Sequence, residues 1–152
     1  MPDVLMLLAI ATNGVAAGEF AGTVLGGVPL LLALPPDRYV HAHRFLATRY
    51  DPFMPVTLAC TALLDGVLAA LVPAVASRVL FALAGALVVS VMVVSVTKTV
   101  PINKWVVSLN PEALPADWTS HDPREQWRRW NSVRTMLATF GLLVNLAAAA
   151  SV

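Results

Sequence analysis

Residues 12–26 read TNGVAAGEFAGTVLG. The stretch is apolar enough to sit in lipid, yet it carries one acid, Glu19, at its middle. Gly14, Gly18, Gly22 and Gly26 recur at every fourth position. On a helix this spacing predicts a smooth ridge against which a second helix packs backbone to backbone. Thr12, Glu19 and Thr23 stand at i, i+7 and i+11 and share one helical face. A carboxylate facing lipid is costly, so Glu19 is expected to face protein or a water-filled cavity. The rest of the chain reads as what encloses it.

The 152 residues suffice for one domain, 1–152. They are 58% hydrophobic and only 12% charged. A soluble domain carries about 25% charged residues, and the apolar residues here come in long runs, which predicts an integral membrane protein. The net charge of +1 offers no footprint for nucleic acid. Cys60 is the sole cysteine, lies in an apolar run and reads as a small buried hydrophobe. No Lys or Arg precedes the first apolar run, which continues to Leu34. It therefore reads as a retained helix rather than a signal peptide.

Four spans are expected, at about 4–34, 53–75, 78–96 and 132–151, with cap segments 35–52 and 97–131. The fold class is thus all-α, a four-helix transmembrane bundle with a cytoplasmic cap made of two long loops. The very short connection near residue 75 makes the second and third spans antiparallel neighbours. The segment 97–121 contains Pro101, Pro111 and Pro115 and reads as too proline-broken for a long helix. The last helix has a clear start: Asp122 as cap, Pro123 at the first helical position and Glu125 three residues after the cap. Nine of the ten Lys and Arg fall in or beside the two cap segments, and only Arg78 lies on the other side. That asymmetry predicts cytoplasmic caps, with both termini outside the cell membrane.

The four-span plan, the glycine-rich first helix, VPINKWV at 100–106 and WRRWNSVRT at 127–135 together resemble the anthrone oxygenase-like family of small four-helix integral membrane proteins. The specific residues are Pro101 and Asn103 in one motif and Trp127, Asn131 and Arg134 in the other. Members with an assigned role are similar to cofactor-free monooxygenases of aromatic polyketide pathways, which turn an anthrone into an anthraquinone with molecular oxygen. The resemblance implies natural-product tailoring, as in antibiotic biosynthesis, with no cofactor. The segment 37–52 carries no matching motif.

Among the residues themselves, Glu19 reads either as a protonated structural acid or as a proton-handling group, since burial disfavours the charged form of a carboxyl. Asp65 follows Thr57 and Thr61 at i+8 and i+4 on one face, and is expected to touch substrate or to pair with a basic group. Asn103 offers a donor and an acceptor, and Arg134 a planar fork of donors; their plainer roles are to fix a turn and to snorkel. Trp127, Trp130, Asn131 and Arg134 share a face at i, i+3, i+4 and i+7. The two tryptophans are either interface anchors or a flat wall for an aromatic ligand. Glu19, at the floor of a pocket, is expected to lie too far from Arg134, near its mouth, for direct contact. His41, His43 and His121 accompany no ligand motif, so surface histidines are expected and no metal.

The leading functional expectation is an enzyme that acts on a hydrophobic, polycyclic small molecule. Its catalytic residues would be Glu19, Asn103 and Arg134, and its substrate-binding residues Asp65, Trp127, Trp130 and Asn131. An acid–base cyclase or isomerase, and a non-catalytic transporter or assembly subunit, are the alternatives. A homo-oligomer is compatible with either class.

Overall fold

The computed structural model describes residues 2–152. Its helices are α1 (Pro2–Gly22), α2 (Val28–Ala33), α3 (Pro36–Arg49), α4 (Phe53–Leu71), α5 (Val75–Val94), α6 (Val100–Ser108), α7 (Trp118–His121) and α8 (Arg124–Ala150), with no strand among the described residues. A π-helical turn, Thr23–Gly27, joins α1 to α2, and a second, Ser95–Thr99, joins α5 to α6. Four helical stretches are long and apolar enough to cross a membrane: Pro2–Ala33, Phe53–Leu71, Val75–Ser108 and Trp118–Ala150, the last interrupted at Asp122 and Pro123. Leu7, Leu25, Leu63, Val75 and Phe140 lie exposed on them. Such residues need lipid around them, and the chain is an integral membrane protein.

α1 packs on α4, α4 on α5, α5 on α8 and α8 back on α1, which closes a ring of four helices. The turn Val72–Ala74 is too short to allow anything but an antiparallel α4–α5 pair. Arg78 Nε donates to the Ala69 carbonyl (3.0 Å) at the end of α4, where a cation also suits the helix dipole. Buried apolar side chains fill the bundle in tiers. Met6, Leu68 and Phe81 sit at the end bearing the termini. Phe20, Leu58 and Val88 follow at mid-depth, with Ala16, Ala17 and Ala138. At the far end α2, α3, α6 and α7 form a cap around Leu31, Tyr39, Val106 and Trp118.

The cap corrects the expectation of two long loops. Residues 36–49 are helical, started by Pro36 in the first turn. Residues 97–108 are helical too, and Pro101 does not break them. A proline removes one backbone bond and crowds the carbonyl four residues back. The turn before it widens instead: the Val100 N–H bonds the Ser95 carbonyl, five residues back. The same device precedes Pro29, where the Val28 N–H bonds the Thr23 carbonyl. Asp122 accepts the Arg124 backbone N–H (3.1 Å) at the start of α8, while Glu125 turns to Arg128 (2.6 Å) instead of completing a capping box.

The glycine ridge is the second correction. A Cβ built on Gly14, Gly18, Gly22 or Gly26 would meet nothing within 4 Å. The buried seam of α1 is Met6, Ala9, Asn13, Ala16, Ala17 and Phe20, so alanines supply the close approach and the glycines look outward. The tight glycines are Gly85, whose Cβ would lie 3.2 Å from Asp65 Cβ, and Gly141, whose Cβ would lie 3.3 Å from the Asn13 amide.

Gly85→Leu is therefore expected to destabilise the bundle by about 1–3 kcal/mol through overpacking, whereas Gly18→Leu stays within about 0.5 kcal/mol. Thermal unfolding in one detergent checks the pair. Equal losses for both variants would contradict the outward orientation of the ridge.

Candidate active site

A polar group taken out of water is costly unless it is hydrogen-bonded. The buried polar side chains of this bundle bond one another in two layers, in which Asp65 Oδ1, Asn145 Oδ1 and Arg134 Nε stay without a partner among the described residues. In the layer nearer the termini, Asn145 Nδ2 donates to Asp65 Oδ2 (3.4 Å) and to Asn13 Oδ1 (3.1 Å), and Asn13 Nδ2 donates to the Ala138 carbonyl (3.2 Å). The Thr12 and Thr61 hydroxyls lie 2.8 Å apart. Asp65 is fully buried here, beside Gly85, and lines no part of the cavity described below. Its partner is a neutral amide, neither a substrate nor a basic group.

The second layer borders a cavity of about 170 Å³ between bundle and cap. Its apolar wall includes Phe20, Leu46, Met54, Leu58 and Met92. Its polar side is made by Glu19, Thr23, His43, Asn103, Trp127, Asn131 and Arg134. The exposed lining residues are Tyr50 and Asp51 in the α3–α4 turn, Pro55 at the start of α4 and Val96 in the π turn after α5, so the opening lies between these elements. Both π turns adjoin the cavity, through Thr23 on one and Ser95 and Thr99 on the other. Such turns recur at functional sites because they re-aim side chains that a regular helix would point elsewhere.

Thr23 donates to Glu19 Oε1 (2.8 Å) from the next turn of the helix. Arg134 donates to Asn131 Oδ1 and to Ser95 Oγ (3.3 Å), and its guanidinium lies over the Phe20 ring, 4.6 Å from the centroid. Asn131 in turn donates to the Trp127 carbonyl (2.8 Å). Glu19 and Arg134 share the cavity, without an ion pair within 4 Å between them. The expected lack of direct contact holds, and both residues line one chamber. Asn103 Oδ1 accepts from Trp127 Nε1 (3.0 Å) and lies 3.0 Å from His43 Nε2.

Trp130 takes no part in the cavity. It is half-buried on the other side of α8, with Lys98 and Arg129 over its ring at 5.3 and 5.8 Å. Cys60, expected to be buried, is exposed on the apolar surface of α4, and His43 is also placed otherwise than the sequence predicts. It is 1% exposed, not a surface histidine. Burial holds its imidazole below the usual value, against the hydrogen bond to Asn103. The available signal was the helix over 36–49, whose buried positions Tyr39, Val40 and His43 recur at i, i+1 and i+4. No group of three or more His, Cys, Asp or Glu suited to a metal ion occurs among the described residues.

An Asp65→Asn exchange keeps a group able to bond Asn145 and is expected to preserve folding. Asp65→Leu leaves the Asn145 amide short of a partner, at a cost of about 1–3 kcal/mol. Melting temperatures of the two variants check this; equal loss in both would show that the carboxyl itself is required.

No curated protein and no solved structure matches the chain. The family model of the anthrone oxygenases matches residues 44–144, which is 101 of the 152 residues. That range holds Asn103, Trp127, Asn131 and Arg134, whereas Glu19 and His43 precede it. With two-thirds of its length matched, including the polar side of the cavity contributed by α6 and α8, the chain belongs to the anthrone oxygenase family.

Proposed function

We propose that this protein is a membrane monooxygenase that oxidises a flat, hydrophobic carbon acid of the anthrone type at the cavity between bundle and cap. The observation that carries this reading is the composition of the cavity wall. The acid Glu19 and two donor side chains, Asn103 and Arg134, meet a largely apolar surface, and the other lining acid, Asp51, is exposed at the opening. Family membership supports a monooxygenase-like role in the same direction.

An anthrone methylene is acidic because its anion is delocalised onto the ring oxygen. Glu19 takes that proton or relays it, and Asn103 and Arg134 hold the developing oxyanion. The anion gives one electron to O2, and the resulting radical pair combines into a carbon-bound peroxide, which is protonated. Removal of the second hydrogen as a proton breaks the O–O bond and leaves the ketone. One CH2 and one O2 become one C=O and one H2O, with the substrate as the source of all electrons. The protein supplies position, donors and a proton path, and no cofactor is required. Natural-product tailoring of polyketide-like polycycles, including antibiotics, is the corresponding biological setting. Cyclisation by the same acid remains the second reading; it consumes no oxygen.

Glu19→Gln keeps the shape of the side chain and loses its exchangeable proton. Its kcat on anthrone is expected to fall by roughly 10²–10⁴-fold at unchanged thermal stability. Arg134→Lys replaces a planar fork by a point charge, with an expected loss of about 10²-fold. An oxygen electrode combined with product analysis reads both. Wild-type turnover in the two variants, or product formation without oxygen uptake, would overturn the mechanism.

The proposal places the cap in the cytoplasm, with both termini outside the cell membrane, on the strength of the nine-to-one distribution of Lys and Arg. A reporter fused after Val152 should give the external signal. A cytoplasmic signal there would reverse the orientation.

A further inference from the structure

We infer that His43 and Trp127 are positioning residues that clamp the Asn103 carbonyl and thereby commit the Asn103 NH2 group to the cavity as a donor to a substrate oxygen. The inference rests on the proposed role of Asn103 as a donor, and it assigns the group that sets the direction of that donor. It also specifies the ligand: the part lying against Asn103 carries a carbonyl or phenolate oxygen, not an N–H or a further apolar edge.

The two ends of an amide are usually hard to tell apart. Here the chemistry decides. An indole N–H donates and never accepts, so the Asn103 atom 3.0 Å from Trp127 Nε1 is the oxygen. The same oxygen lies 3.0 Å from His43 Nε2. Two acceptors would repel at that distance, so Nε2 carries the imidazole proton. Both acceptor sites of Oδ1 are then filled by N–H groups from two different helices, α3 and α8. Nδ1 has no hydrogen-bond partner among the described residues, and burial disfavours a second proton on the ring, so Nδ1 is the bare nitrogen.

With its oxygen used, Asn103 has only its Nδ2 hydrogens left to offer. No acceptor among the described residues takes them, and Nδ2 is not among their polar atoms sealed away without a partner. Asn103 lines the cavity. The clamp is itself held. His43 packs on Trp127 and Tyr39, with ring centroids 4.9 and 5.3 Å apart. Arg44, the next residue, donates to the Val107 and Leu109 carbonyls at the end of α6, which fixes α3 against the helix that carries Asn103. The arrangement meets the general need of catalysis for donors that are aimed before the charge develops.

Two measurements on the full-length protein in detergent test the clamp. The first needs no ligand: 15N NMR of the imidazole in wild type should report protonated Nε2 and bare Nδ1, and the Asn103→Leu variant should lose the Nε2 hydrogen-bond signature. A bare Nε2 in wild type overturns the inference. The second is kinetic, with anthrone and oxygen. His43→Leu and Trp127→Phe should each lower kcat by about 10–100-fold, the scale of a misplaced reacting group, with KM within about threefold of wild type. His43→Gln, whose amide nitrogen takes the place of Nε2, should recover most of that loss. Combining His43→Leu with Trp127→Phe should cost no more than Asn103→Leu alone, since all three act through one NH2 group. Equal kcat losses in His43→Gln and His43→Leu at equal thermal stability would overturn the clamp. If wild type does not oxidise anthrone at all, the proposed reaction fails, and the NMR measurement still decides the clamp.

Discussion

No water reaches the middle of a bilayer, so a polar side chain inside this bundle must find its partner within the protein. That constraint explains more of the molecule than helix packing alone. Three of the four ring helices bring polar groups inward to these layers: Asn13 and Glu19 on α1, Asp65 on α4, and Asn131, Arg134 and Asn145 on α8. They are divided between two layers by a plug that includes Ala16, Ala17 and Ala138. Small residues at the plug let α1 and α8 approach closely. Thr135 on α8 can then donate to the Phe20 carbonyl of α1 (3.2 Å), a bond that spreading the helices would lose.

The two layers differ in what they leave unfinished. Nearer the termini, amide meets amide and carboxyl with no cavity beside them. Such a network ties α1, α4 and α8 together, and its members gain from one another in a medium of low dielectric. At the cap, Arg134 bonds Asn131 and Ser95 and Thr23 bonds Glu19, while Arg134 Nε has no partner among the described residues, and the groups border open space. On the proposed reading that space is the binding site. This contrast separates Asp65 from Glu19 although both are intramembrane acids in helical runs of similar character.

The spans were legible because run length and hydrophobicity are local properties. So was the face joining Trp127, Asn131 and Arg134, because helical period places them together whatever surrounds the helix. The direction of the α1 ridge was not legible. Gly14, Gly18, Gly22 and Gly26 announce that close approach is possible, but Ala9, Ala16 and Ala17 on the adjoining face permit it as well, and tertiary packing chose between them. The helix through Pro101 was hidden for another reason: a proline penalty assumes a regular ladder, and the widened turn from Ser95 to Thr99 removes the clash. His43 was missed because its burial depends on α6 and α8, which lie 60 and more residues further along the chain.

The position of the cavity at the junction of bundle and cap has a chemical consequence on the oxygenase reading. Carbon acids of the anthrone type are apolar over most of their surface and polar at one oxygen. A chamber wholly within the bundle would leave that oxygen without donors, and one wholly within the polar cap would expose the developing anion to water. At the junction, Phe20, Leu58 and Met92 face the hydrocarbon part while Asn103 and Arg134 reach in from α6 and α8. Excluding bulk water strengthens each hydrogen bond to the anion, because a charge is screened less in a low dielectric. Oxygen itself is apolar and partitions into such surroundings. On that reading, the same constraint that draws polar groups inward also sets fixed donors beside an apolar wall, where a stabilised carbanion would meet oxygen.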